Sequence, residues 1–233
     1  MKAAAFTLVQ NDMIILELWC KYYSKNFEYL YAHCFNTKKE YIPKLEEFRN
    51  KYHLDYYIHP GEQDSPPACN EIVKIKQQEL LKKYDWVIYT NCDEFVVPSF
   101  TVDSTLTDFM NRCKKDWAWC IGYDVIQIDE PVLDYSKPIL DQRKYWIKNP
   151  NINKVLLSKK PLNWGDGQHQ TDETHGLTPE DMGNMGLYLI HLKHADLNNT
   201  VRDLGPAMTG VWPCVVERMD TKEEIPIRFK RFI

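Results

Sequence analysis

The sequence predicts an α/β fold, a single domain whose mostly parallel, mixed sheet is flanked by helices. Three observations carry this. Apolar, β-rich runs alternate with helical-period segments three times before residue 90, the pattern of βαβ units. The run Trp86-Val-Ile-Tyr89 has the composition of a buried central strand and stops on Asn91, Asp93 and Glu94. After Pro98 the alternation gives way to shorter strands and polar loops, with no repeat, low-complexity stretch or linker to separate a second domain.

Taken in order, Ala3–Val9 reads as a buried strand, and Asn11 and Asp12 after it can cap a helix. That helix places Ile14, Ile15, Leu18, Trp19, Tyr22 and Tyr23 on one face. Phe27–Phe35 is a second strand, Pro43–Tyr52 a helix carrying Leu45 and Phe48, and Tyr56–Ile58 a short third strand. The loop His59–Pro67 holds Gly61, Pro66 and Pro67. A helix over Ala68–Tyr84 follows, with Ile72, Ile75 and Leu80 along one side, and leads to the strand Trp86–Thr90.

Beyond Pro98, Ser104 or Thr105 caps a helix over Leu106–Cys113. Trp117–Tyr123 alternates as a half-buried strand, and Val125–Ile128 reads as another. Asp129–Pro150 is expected as an ordered loop or lid, Lys154–Leu157 as a short strand, and Asn163–Gly176 as a polar, Gly-bearing loop. Leu187–Leu192 is a late strand followed by Lys193, His194 and Asp196. The charged tail from Asp220 is expected as a surface helix or arm.

Composition narrows the chemistry. With 233 residues, 44% hydrophobic and 27% charged, the chain has the make-up of an ordinary soluble globular protein. A net charge of −4 with no basic face gives no reason to expect nucleic acid as a partner. The seven cysteines form no C-x-x-C pair and show no zinc spacing, so they read as reduced cytosolic thiols. The N-terminal apolar run breaks at Gln10-Asn11-Asp12, too early for a signal peptide, and no stretch approaches the ~20 apolar residues of a membrane span. A soluble, cytoplasmic protein is the expectation.

The end of the Trp86–Thr90 run carries the chemistry. Oxygen-bearing side chains at the carboxyl end of an apolar strand are costly unless something binds them, and in open α/β sheets ligands sit at that end. Hard oxygen ligands suit Mg²⁺ or Mn²⁺, ions that usually arrive with phosphates. A metal–nucleotide site at Asp93 follows as the expectation; the bland alternative is a turn-starting Asp93 beside a solvated Glu94.

Asp-Trp-Val-Ile-Tyr-Thr-Asn-Cys-Asp-Glu-Phe resembles the Asp-x-Asp-Glu-Phe strand of GT-A fold glycosyltransferases, in the family 2 and related family 92 group. Three further stretches agree in order: the opening strand with Gln10-Asn11-Asp12, the segment Lys160-Pro-Leu-Asn-Trp-Gly-Asp-Gly-Gln-His169, and Leu187-Tyr-Leu-Ile-His-Leu-Lys193 with Asp196. The resemblance covers roughly residues 3 to 200 and implies a GT-A-like domain with a Rossmann-like sheet. Residues 1–98 would form its nucleotide-binding half and 99–233 its acceptor-binding half and tail. One departure stands out: Asn91 occupies the position where the family's motif usually begins with Asp.

The resemblance implies transfer of a hexosyl or pentosyl group from a UDP- or GDP-linked sugar to a hydroxyl, as of a glycan, with Mn²⁺ or Mg²⁺ at the diphosphate. Asp93 and His191 are the expected metal ligands, with Glu94 supporting the site or facing the donor sugar; for a strand-end His191, a structural hydrogen bond competes. Gln10 and Asn11 are expected at the base and ribose, and Lys76, Asn91 and Lys193 around the donor. Helix capping for Asn11 and a solvated surface for Lys76 and Lys193 explain them as well. An inverting enzyme needs a base at the acceptor hydroxyl. Asp166 is the first candidate and Asp172 the second, with His169 positioning and Trp164 stacking on a sugar ring; a polar surface loop is the competing reading. A retaining enzyme would need no such base.

Two rivals remain. A nucleotidyltransferase would normally show a Gly-rich, basic loop after the first strand, and Gln10–Met13 contains no Gly, Lys or Arg. A non-catalytic sugar- or partner-binding domain on the same fold is favoured by Asn91 alone.

Overall fold

The computed structural model describes residues 1–60, 66–98, 105–165, 170–196, 221–226, 229 and 233, with the backbone alone at 66, 67, 179 and 180. The predicted expectations for Asp166 and His169 therefore lie outside the described residues.

The first half is three strand–helix units and a fourth strand: β1 (Ala3–Gln10), α1 (Met13–Tyr23), β2 (Tyr29–Phe35), α2 (Ile42–Tyr52), β3 (Leu54–Ile58), α3 (Pro66–Leu81) and β4 (Trp86–Tyr89). Strands β4, β1, β2 and β3 lie side by side in that order and are all parallel. β2 and β4 thus flank β1 on opposite sides, and the carboxyl ends of β1 and β4 form a topological switch point. Helices α1 and α2 pack on one face of the sheet and α3 on the other, so both faces are covered.

The second half extends this sheet with β5 (Glu94–Pro98), α4 (Leu106–Arg112), β6 (Trp117–Ile126), β7 (Tyr145–Lys148), β8 (Lys154–Ser158), α5 (Pro179–Met182), β9 (Leu187–His191) and β10 (Lys222–Glu224). β8 joins β4 antiparallel, and β6, β7 and β10 follow outward. β9 lies between β5, antiparallel, and β6, parallel. The result is a mixed α/β sheet with a parallel centre. Among the described residues no helix is long and apolar enough to cross a membrane.

Several sequence expectations need correction. Trp117–Tyr123 and Val125–Ile128 are one strand, because the ladder to β7 runs unbroken through Tyr123 and Asp124. The expected loop Asp129–Pro150 contains a 3₁₀ turn at Ile139–Asp141 and β7. The tail is not simply a helix or arm: Lys222–Glu224 pairs with β7, and Phe229 is buried against Trp146. Thr105 caps α4, its side chain accepting from Asp108 N. Ile14 and Ile75 are exposed; the buried stripe of α1 is Met13, Leu16, Trp19, Cys20 and Tyr23, with Ile15 and Tyr22 beside it.

Candidate functional site

The chain leaves β4 through a tight turn over Asn91-Cys92-Asp93 and re-enters the sheet at once as β5, a strand the sequence reading missed. Glu94 closes this turn at both ends. Its N–H donates to the Asn91 carbonyl (3.0 Å), and its Oε2 accepts from Asn91 N–H (3.1 Å). The aromatic stripe of α1 holds the turn from behind. Trp19 Nε1 donates to Thr90 Oγ1 (2.8 Å), Tyr23 O–H to the Glu94 carbonyl (3.1 Å) and Tyr22 O–H to the Val96 carbonyl (2.7 Å). These rings combine core packing with a polar tip that finds a partner.

Sheet register then assembles the site. His191 lies opposite Glu94 on one side and opposite Asp124 on the other, and Leu192 N–H donates to the Asp93 carbonyl (2.9 Å). The imidazole of His191 stands between two carboxylates. Nδ1 donates to Asp124 Oδ1 at 2.7 Å, and Nε2 faces Asp93 Oδ2 at 3.2 Å. Asn149 Nδ2 donates to the other Asp124 oxygen at 2.6 Å. Asp124 is almost sealed, whereas the Asp93 side chain keeps 28% of its surface. The run Asn149–Asp124–His191–Asp93 therefore leads from the interior to an open carboxylate.

Charge follows this geometry. Burial works against ionisation of Asp93, but the His191 charge and hydrogen bond, helped by Lys154 and Lys193, outweigh it and hold the carboxyl down to about 2. Burial likewise works against the His191 cation, yet Asp93 and Asp124 raise its pKa to about 10. Asp124 is also lowered, against burial, chiefly by its bond to His191.

Glu94 lies behind the turn it closes rather than at an open face: its Oε1 meets Lys154 Nζ at 2.6 Å, with the side chains 1% and 3% exposed. A carboxylate that deep needs a counter-ion, and β8 supplies one from sixty residues away.

The other predicted residues are placed as follows. Gln10 is exposed at the end of β1. Asn11 adopts φ 56° and accepts from Lys38 N–H through Oδ1 (3.2 Å), while Asp12 caps α1 by accepting from Ile15 N–H. Asn91 Oδ1 accepts from Tyr89 O–H at 2.9 Å. Lys193 lies in the turn after β9 rather than on the strand, so strand alternation does not govern its direction; its charge nonetheless acts on Asp93. Lys76 is committed elsewhere, to Glu79 at 2.9 Å and to the Tyr31 ring at 3.7 Å. Gln77 is buried and accepts from Leu162 N–H. Asp172 is exposed and accepts from Asn163 Nδ2 at 2.7 Å. Trp164 is not a free stacking platform: it packs against Tyr89 and donates through Nε1 to the Val155 carbonyl.

Asp124, Asn149 and Lys154 were not picked out from sequence. The available signal was Asp124 itself, one carboxylate inside the long apolar run Trp117–Ile128, where a buried acid demands a partner.

Among the described residues, no three His, Cys, Asp or Glu side chains are grouped to hold a metal ion by themselves. Asp93 and His191 nevertheless fit the protein's share of an ion whose remaining ligands are phosphate oxygens and water. Their facing atoms are 3.2 Å apart, close to the roughly 3 Å between adjacent ligands on an octahedral ion with bonds of about 2.1 Å. Asp124 fixes the imidazole as a carboxylate does behind a ligating histidine.

No protein-family model matches the chain, and no curated protein matches it. Among solved structures it is similar to a crystal structure of S. aureus TarS 1-349, with TM-score 0.34 and 14% identity over 62% of this chain and 40% of that one. It is similar also to a crystal structure of S. aureus TarS, with TM-score 0.33 and 15% identity over 61% of this chain and 26% of that one. The chain spans less than half the length of either.

Proposed function

We propose that this protein is a glycosyltransferase of the GT-A type, moving a sugar from a nucleoside-diphosphate sugar to an acceptor hydroxyl. The observation that carries the reading is the Asp93–His191–Asp124 run. It sits where β4 ends beside the switch point, an open carboxylate backed by a charge network in the place the resemblance assigns to the donor diphosphate.

In this reading Asp93 and His191 would hold Mn²⁺ or Mg²⁺ at the diphosphate, His191 through Nε2 after that nitrogen gives up its proton, and Asp124 with Asn149 keeps the imidazole aimed. The ion, when bound, supplies a Lewis acid where negative charge develops on the leaving group. Lys193 adds positive charge on the same side. The α1 aromatics hold the Asn91–Glu94 turn rigid, so that Asp93 meets the donor without reorganising. Gln10 and Asn11, at the end of β1, stand on the base and ribose side. Asp166 accepts the proton of the acceptor hydroxyl, with Asp172 as the second candidate and His169 positioning.

The test is turnover and binding together. The protein is incubated with a panel of UDP- and GDP-sugars and Mn²⁺, and release of free nucleotide is measured beside the thermal shift with UDP or GDP. Donor hydrolysis or transfer, and a Mn²⁺-dependent shift lost in Asp93→Ala, are expected. No release with any donor and no metal-dependent shift would overturn the reading in favour of a non-catalytic sugar-binding domain, the role to which Asn91 lends itself.

A further inference from the structure

A cavity of about 330 Å³ opens beside the 3₁₀ turn Pro150–Ile152. Its walls come from Trp119 on β6, Asn151 and Asn153 around the turn, Gln170 and Leu177 from the loop before α5, and Met182 at the end of α5. The volume lies at the lower end of the range for small-ligand sites.

The lining has a definite chemistry. None of its described side chains is ionisable. Trp119 and Met182 are buried, and Leu177 is 44% exposed, so apolar surface lies at the floor and rim. Three carboxamides and the Thr174 hydroxyl supply the polar groups, and that hydroxyl is already bonded to Thr171. Asn153 is 6% exposed; its Oδ1 accepts from Gly122 N–H at 2.7 Å, while its Nδ2 has no hydrogen-bond partner among the described residues. The carboxamides of Asn151 and Gln170 are exposed and likewise make no side-chain hydrogen bond among the described residues. The Asn153 donor is not one of the sealed, unpartnered atoms of the interior, so it is open to the cavity, where a ligand hydroxyl can take the place of water.

The wall is also tied to the charged run. Asn149, just before the turn, bonds Asp124, and Lys154, just after Asn153, bonds Glu94. Gly122 lets the turn lie directly on β6, since a Cβ there would overlap Ile152. The cavity is thus fixed by the same strands that fix Asp93 and His191.

We infer that this cavity binds a neutral, hydroxyl-rich sugar unit through the carboxamides of Asn151, Asn153 and Gln170 and the apolar surface of Leu177. Amides both donate and accept and so match vicinal hydroxyls, the apolar patch suits the C–H face of a pyranose, and the described lining offers an anionic ligand no counter-ion. The inference rests on the transferase reading only for the role of that unit, which would be the acceptor.

The experiment is a shift titration of the ¹⁵N-labelled full chain with neutral methyl glycosides of glucose, galactose, mannose and N-acetylglucosamine and their disaccharides. Glucuronate and glucose 6-phosphate are run beside them. At least one neutral glycoside should move the Gln170 and Leu177 resonances, and the anionic sugars should bind at least tenfold more weakly. Leu177→Trp, which fills the mouth, and Asn153→Asp, which keeps the acceptor for Gly122 but replaces the donor, should each weaken binding tenfold or more. Both should leave UDP and GDP binding with Mn²⁺ within twofold of the parent. Failure of every neutral glycoside to move those resonances, equal binding of the anionic sugars, or parent-like binding by both variants would overturn the inference. Sugar binding without any nucleotide binding would sink the transferase reading and leave the cavity a sugar site.

Discussion

Asp93 and Glu94 are neighbours in the chain with opposite fates. Glu94 turns inward, is sealed at 1% exposure and is neutralised by Lys154 across the sheet. Asp93 keeps an open side and is balanced by an imidazole that a second carboxylate holds in place. Two adjacent acids can differ this much because Asp93 still belongs to the turn after β4, whereas Glu94 is the first residue of β5 and is drawn under the sheet to Lys154. The inner pair makes the turn rigid, and the outer pair leaves charge available to a ligand. A sealed ion pair is a framework; an open one is a site.

The sharpest break of this contrast is Lys154→Met. It strands the Glu94 carboxylate in the interior and should cost about 3–5 kcal/mol by denaturant titration, while Glu94→Gln with Lys154→Met should recover most of the loss. If Lys154→Met alone is as stable as the parent, Glu94 is not held as an ion. Asp93→Ala should do the reverse. Stability should fall by less than in Lys154→Met, because the Asp93 side chain is partly open and His191 keeps Asp124, but metal-dependent nucleotide binding should fall beyond detection by calorimetry. Parent-like affinity would remove Asp93 from the metal.

Asp124→Asn tests the middle of the run. An amide can still meet Nδ1 but carries no charge, so Mn²⁺ affinity in the presence of nucleotide should weaken by roughly 10–100-fold. An unchanged affinity would mean that His191 needs no carboxylate behind it.

The smallest effect comes from a histidine that contacts no carboxylate among the described residues. His33, at the β2–β3 edge, contacts His59 at 3.3 Å and the rings of Phe35 and Tyr57. Burial, with the charges of His59 and Lys76, pushes its pKa down to about 4 from 6.5. The unfolded chain therefore binds this proton first. Its linkage should lower stability as the pH falls from about 6.5 towards 4, with no contribution above that window. His33→Phe should flatten this part of the stability–pH curve, and an unaltered slope would show that His33 titrates normally.

Much of the first half was legible because it is built from local patterns. The three strand–helix units and the buried strand before Asn91 follow from apolar periodicity, and Asp12 and Thr105 could be read as caps from their positions before apolar helices. Asp93 stood out as an acid at the end of such a strand, and His191 as a polar stop to another. The second half was harder to read because its strands pair antiparallel with partners distant in sequence. β5 follows β4 too closely to look like a separate element, β7 is only four residues long, and β10 is a short, polar edge strand. Trp164 misled because an aromatic beside a polar loop has the same composition whether it binds a ligand or closes the core.

The sequence by itself determined that the chain is α/β, that its parallel centre is wound by amphipathic helices, and that an acid stands where β4 ends. Only the tertiary structure decided which charges meet: Asp124 and Asp93 on His191, and Lys154 on Glu94. Those contacts depend on register between residues 60 to 98 positions apart in the chain. Hydrophobic periodicity records which side of an element is buried, but it does not record which element will lie against it.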